Sequence, residues 1–159
     1  MINTEATRAI DYRQLKISSS AFGDNEMIPV DYTCDGKNIN PPLDIQQIPT
    51  EAKSLVVIVE DHDGPIDIWV HWLIWNIPVT HHIRENETRG KQGINDFQLR
   101  QYAGPCSPLS GVHRYFFKVY ALRSALDLSF KTKKLKLEKA MSDCIVAYGE
   151  LVGLYKRNT

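Results

Sequence analysis

The chain has 159 residues and a mass of 18.2 kDa, with 19 basic and 19 acidic side chains, a formal net charge of zero and a pI near 7.0. That length suits one core of ordinary domain size, and the neutrality supplies no long-range field toward nucleic acid or an anionic membrane. Any anion has to be caught locally, and no apolar run approaches the ~18 residues needed to span a bilayer.

From the N-terminus, "MINTEATRAIDYRQLKI" lacks the unbroken apolar core of a signal peptide, and residues 1–14 read as a flexible extension of a single domain over 1–159. "LKISSSAF" and "IPVDYTC" are expected to be early strands, with "GDNE" as the turn between them. "SLVVIVED", "IWVHWLIWNIP" and "HRYFFKVYAL" are apolar on both faces and predict central strands covered on each side. Thr132 is placed to cap a short helix over "KKLKLEKAM". In "CIVAYGELVGLYKR" the glycines at 149 and 153 favour a last strand over the alternative helix.

The cysteines, Cys34, Cys106 and Cys144, are an odd and widely spaced set that matches neither a disulfide framework nor zinc-ligand spacing. Three reduced thiols and a cytoplasmic location are the expectation.

The polar groups of interest lie at strand ends. In an extended strand His71 shares a face with Trp69, Leu73 and Trp75. Asp61 and Asp63 close the preceding strand, and two carboxylates about 6 Å apart repel by roughly 3 kcal/mol at an effective dielectric of ~20, so something must compensate them. The loop "GPCSPLSGVHRY" delivers His113 and Tyr115, on one face, to the start of a later strand. If that strand runs antiparallel to the one Asp61 closes, then Asp61, His71 and His113 meet at one sheet edge. Each has a plainer role: Asp61 and Asp63 as an Asx turn before Pro65, Gly104-Pro105 as loop punctuation, Arg114 as an ion-pair partner, and His71 as a hydrogen-bonded core histidine. His62, His81 and His82 read as solvated loop residues.

Four blocks, "DYTCDGKNINPPL", "EDHDGPIDIWVHWLIWNIP", "GPCSPLSGVHRYFFKVYAL" and "ELVGLYKR", resemble the phosphatidylethanolamine-binding protein family, in its bacterial and archaeal Raf kinase inhibitor-like branch. The resemblance implies a mainly β fold of two packed antiparallel sheets with a short helix near the C-terminus. It also implies a cavity for phosphate-like anions built from Asp61, Asp63, Pro65, Trp69, His71, Gly104, Pro105, His113 and Tyr115. The sequence departs from the family where His62 replaces a usual proline, where Cys144 replaces a common histidine, and in the loop after Gly104-Pro105.

Three functions are compatible with these residues. The first is binding of a small anion, with two imidazoles and the loop amides near Gly104 as donors and Asp61 orienting a histidine. The second is inhibition of a kinase or protease through a protein partner, which a shared fold does not transmit. The third is metal-dependent hydrolysis by the Asp and His groups, disfavoured because "DHD" lacks the helical spacing of hydrolytic zinc motifs. No nucleophile stands out, since Ser107 and Ser110 lie in a loop and Cys106 has no evident base. No cofactor, no resident metal and no stable membrane insertion are expected, and a homodimer is one oligomeric alternative.

Overall fold

The structure, a computed structural model, describes residues 13–108 and 110–157. The long apolar runs form the three strands expected of them: β5 (Ser54–Asp61), β6 (Trp69–Ile77) and β9 (His113–Leu122). The C-terminal run is the strand β10 (Ile145–Tyr155). Together with the short β1 (Arg13–Gln14), β3 (Glu26–Met27) and β8 (Lys91–Gln92) they build the larger sheet, in the order β1-β10-β9-β5-β6-β8 with β3 also on β10. The central pairs are antiparallel, whereas β1 and β3 run parallel to β10. A second, antiparallel sheet joins β2 (Lys16–Ser18), β4 (Leu43–Gln46) and β7 (His82–Ile83).

The front face of the large sheet packs on the small one. Leu55, Val57, Val59, Trp72 and Phe117 share a core with Ile17, Leu43, Ile45 and Ile83. Its back face carries Val56, Ile58, Leu73 and Trp75 against Leu137 and Met141 of the helix α1 (Lys134–Met141). Burial of β5 on both faces follows from this three-layer arrangement: all eight of its residues are buried.

Several sequence expectations are corrected. "IPVDYTC" is not a strand: Val30–Tyr32 is a 3-10 turn after Pro29, held by Tyr32 N–H to Pro29 O and Thr33 N–H to Val30 O. Arg13 and Gln14 are not an extension but pair with Ala147 and Tyr148, while residues 1–12 lie outside the described range. Thr132 does not cap α1. Lys133 occupies that position without a side-chain hydrogen bond, and the buried Thr132 hydroxyl has no partner among the described residues.

Cys34 and Cys106 form a disulfide across 72 positions, with Cα atoms 5.4 Å apart, which overturns the three reduced thiols. The bridge follows from tertiary proximity: Cys34 N–H donates to Pro105 O, which lays the segment after the 3-10 turn beside the Gly104-Pro105 loop. Cys144 alone is a free thiol. With two of the three cysteines bridged, the thiols do not point to a reducing compartment. Among the described residues no helix is long and apolar enough to cross a membrane.

Candidate functional site

The site begins with a defect in strand pairing. Asp61 pairs with Trp69 and Glu60 with Val70, but Val59 pairs with Trp72, so His71 is the extra residue of a β-bulge. A bulge turns its strand by one side-chain position, and such bulges re-aim side chains at the rims of sheets. His71 therefore stays at the front cavity with Trp69, whereas Leu73 and Trp75 belong to the back-face core. The expectation that all four share one face is corrected for this reason. The bulge also withdraws the His71 carbonyl from the ladder, and it accepts from Ala103 N–H at 3.2 Å and Asn95 Nδ2 at 3.0 Å. Segment 95–103 is thus fastened beside the ring.

The antiparallel β5/β9 pair brings Asp61 opposite Tyr115, two positions from His113. His113 Nδ1 donates to Asp61 Oδ2 at 2.8 Å, and Asp61 Oδ1 accepts from Asp63 N–H at 2.7 Å. Asp61 therefore both orients a histidine and closes an Asx turn. Tyr115 lies between the imidazoles, edge-on to His71 at 5.3 Å and stacked on His113 at 6.3 Å. Burial pushes its hydroxyl far above the usual tyrosine range, with the Asp61 charge adding to the effect.

His71 is 2% exposed, and its Nδ1 donates to Ala103 O at 2.5 Å. Desolvation lowers its pKa below the ordinary histidine value, opposed by the Ala103 and Gly104 backbone and by the charge of Asp61. At neutral pH the ring is uncharged, and Nε2 is then an acceptor.

Asp61 and His71 border a cavity of about 240 Å³, while His113 and Tyr115, predicted to line it, stand behind Asp61 and outside its lining. Its polar wall is Asp61, His71 and Ser107, and its apolar wall is Pro65, Trp69, Phe97, Pro108 and Cys106 of the disulfide. Phe97 stands edge-on to both Trp69 and His71, at 5.6 and 5.1 Å. No lysine or arginine is among the cavity-lining residues.

Not every candidate faces this space. Asp63 turns outward to Arg114, accepting from Nε at 2.9 Å and Nη2 at 3.0 Å, and that guanidinium holds its carboxyl below the usual range. Gly104 N–H donates to Asn38 Oδ1 at 2.7 Å, so the amide expected to face an anion is already paired. The glycine is required for another reason: a Cβ there would meet Tyr32 O at 2.3 Å. Pro105 serves as the acceptor for Cys34 N–H.

His62 is half-buried rather than a solvated loop residue. Its ring stacks on Phe116 at 3.8 Å and bonds Glu60 Oε1 at 3.0 Å. His81 and His82 are exposed, as expected. Among the described residues no group of three or more His, Cys, Asp or Glu side chains is placed to hold a metal ion.

From sequence, Phe97 is not placed at the site and Ser107 is set aside as a loop residue. Phe97 follows Asn95, whose side-chain carbonyl accepts from Phe97 N–H and Leu99 N–H in a tight loop. Ser107 Oγ lies 3.3 Å from His113 Nε2. Neither carries a local signal, because each is brought in by a loop whose course the neighbouring strands decide.

A profile described as "Phosphatidylethanolamine-binding protein" matches residues 18–156. A UPF0098 protein of Pyrococcus horikoshii is 48% identical over 153 residues, covering 90% of this chain and 77% of the relative. A UPF0098 protein of Methanothermobacter thermautotrophicus is 44% identical, covering 90% of this chain and 99% of the relative. The crystal structure of a phosphatidylethanolamine-binding protein homologue from Chlamydia trachomatis superposes with a TM-score of 0.86 at 37% identity, over 92% of this chain and 99% of that one. YbcL of Escherichia coli shares the fold, with a TM-score of 0.83 at 24% identity over 91% of this chain and 99% of its own. The match across nearly all of the described strands, together with relatives well above 30% identity, places the chain in the phosphatidylethanolamine-binding protein family.

Proposed function

We propose that this chain binds small phosphate-like anions in the cavity lined by His71 and Asp61, with His113 beside it, whether carried by a phosphorylated metabolite, a phospholipid headgroup or a phosphorylated side chain. The observation that carries the proposal is the pairing of two buried imidazoles whose Nδ1 atoms are each held by a protein acceptor, Ala103 O and Asp61 Oδ2. Both rings are fixed in orientation and tautomer, which leaves Nε2 as the nitrogen that changes from acceptor to donor on protonation. With no lysine or arginine in the lining, capture of a doubly charged phosphate is coupled to proton uptake by an imidazole. Binding is therefore weak at neutral pH and strengthens as pH falls.

Calorimetric titration with inorganic phosphate and a phosphomonoester tests this. His71→Ala and His113→Ala should each weaken binding by roughly ten- to a hundredfold, equivalent to about 1.5–3 kcal/mol for a charge-assisted contact. The double variant should be strongly non-additive if both rings hold one phosphoryl group. Folded single variants with unchanged affinity at every pH would refute the proposal.

A second reading, regulation of a protein partner such as a kinase or protease, is favoured by one observation. Ile66 (90% exposed), Ile68 and Val112 are exposed apolar residues adjoining Pro65, Trp69 and His113 in sequence, and Phe97 of the cavity wall is itself 38% exposed. Exposed apolar groups around a polar pocket mark contact surfaces. Phosphate competing a captured partner off the protein would join the two readings, and capture indifferent to phosphate would separate them.

A further inference from the structure

Three side chains meet in an order that anion binding does not require. Ser107 Oγ is 3.3 Å from His113 Nε2, and His113 Nδ1 is 2.8 Å from Asp61 Oδ2. Because Nδ1–H donates to the carboxylate, the neutral ring presents Nε2 as an acceptor to the hydroxyl. This is the sequence of nucleophile, general base and orienting group, recognised by geometry rather than chain order. Separations slightly beyond 3.2 Å are usual for such pairs before substrate binds. His113 and Asp61 are each 4% exposed, so the base and its orienting group are shielded from water, while Ser107 and Asp61 both border the cavity.

We propose that His113 makes Ser107 a nucleophile, and that the cavity transfers small apolar acyl groups from activated esters to water. Ser107 Oγ attacks the ester carbonyl carbon and its proton passes to His113 Nε2. The bond from that carbon to the leaving oxygen breaks, and the alcohol departs with the proton. Water then attacks the acyl-Ser107 ester and delivers a proton to the same nitrogen. That proton returns to Oγ as the carboxylic acid leaves. Asp61 keeps the tautomer and balances the imidazolium without taking the proton, which makes it a positioning residue.

The cavity walls define the substrate class. Trp69, Phe97, Pro65 and Pro108 suit an apolar acyl chain, and about 240 Å³ limits it to a short one. General-base assistance contributes typically 10²–10⁴-fold, so the leaving group has to be a good one, such as a phenolate. The proposal stands apart from phosphate binding, since a seated acyl group needs no protonated imidazole.

The test uses the whole chain. An alkyl fluorophosphonate probe, followed by peptide mass spectrometry, should place a single covalent adduct on Ser107 of the unaltered protein. Hydrolysis of p-nitrophenyl butyrate should fall about 100-fold or more in kcat/KM for Ser107→Ala, and Ser110→Ala in the same loop should leave it unchanged. Asp61→Asn should lower kcat and change the pH–rate profile, which a purely structural role would not do. Phosphate titration of folded Ser107→Ala keeps the two proposals distinguishable: retained phosphate binding with lost hydrolysis supports both. An adduct on another residue, or hydrolysis that survives in Ser107→Ala, would overturn the assignment.

Discussion

Glu60 and Asp61 are consecutive, buried and carboxylic, and they face opposite sides of one sheet with different partners. On the back face Glu60 meets Lys118 Nζ at 2.8 Å, Lys134 Nζ of α1 and His62 Nε2 at 3.0 Å. Burial by itself would raise its pKa, but the hydrogen bonds from Lys118 and Lys134 outweigh it and hold the carboxyl at about 2. On the front face Asp61 is held by the His113 imidazole and the Tyr115 hydroxyl, and the cavity beside it is lined by no permanent cation. The back carboxylate pins a helix to the sheet with charges that persist at every physiological pH. The front one holds a group whose charge can change. The contrast separates a structural lock from a site with adjustable protonation.

The largest effect expected from breaking this arrangement lies at the cavity wall. Closing a loop of 72 positions, the Cys34–Cys106 bridge contributes about 4 kcal/mol on the chain-entropy account. Cys34→Ser with Cys106→Ser should lose about that amount in urea unfolding. Thiol titration of the denatured, unreduced parent should count one thiol. A loss below about 1 kcal/mol would show that the unfolded chain gains little from the constraint.

The lock should come next. Glu60→Gln leaves two ammonium groups, with side chains 18% and 22% exposed, beside an uncharged amide, and should cost about 3 kcal/mol. Asp61→Asn removes one hydrogen bond to a titratable ring and should cost about 1–2 kcal/mol. Equal losses from the two variants would erase the distinction.

Acid sharpens the same comparison. Glu60 in the unfolded chain titrates near ~4.3. Its contribution to stability is full above that value and disappears as pH falls toward about 2, where the folded group protonates. The amount is about 3 kcal/mol, and Glu60→Gln should flatten the stability curve over that window. His71 acts higher on the scale. Its lowered pKa means that the unfolded chain takes up the proton first, so its share of stability fades as pH falls below ~6.5. The NMR titration of the His71 ring should show a midpoint below that reference, moved upward by phosphate. A midpoint above the reference without ligand would contradict the desolvated setting.

The smallest effect concerns His62, between Asp61 and Asp63. Its ring belongs to the back face, on Phe116 and Glu60. His62→Ala should cost about 1 kcal/mol in stability and leave cavity binding of phosphate unaltered. A loss of binding would place His62 in the front-face machinery after all.

Much of this molecule is legible along the chain. The runs at 54–61, 68–78 and 113–122 predict covered central strands because strand formation there depends on local hydrophobicity, and all three are present. The meeting of Asp61 with His113 also follows from sequence, since antiparallel pairing brings the end of one strand to the start of another. The Asx turn at Asp61 is local enough to read directly, whereas Arg114 is the ion-pair partner expected but finds Asp63 across the β5/β9 pairing.

What tertiary structure alone decides is where two distant segments come into register. The bulge that separates His71 from Leu73 and Trp75 exists only because β6 carries one residue more than β5 between paired positions. The disulfide and the approach of Ser107 to His113 need one loop laid beside the turn at 30–32 and against the start of β9. Thr132 fails as a cap because the helix begins after Lys133, with its hydroxyl already enclosed. Side-chain periodicity records which residues prefer burial. It holds no record of which buried neighbour waits on the other side, because that depends on contacts closed across tens of residues, whose free energy appears only when the whole sheet has formed.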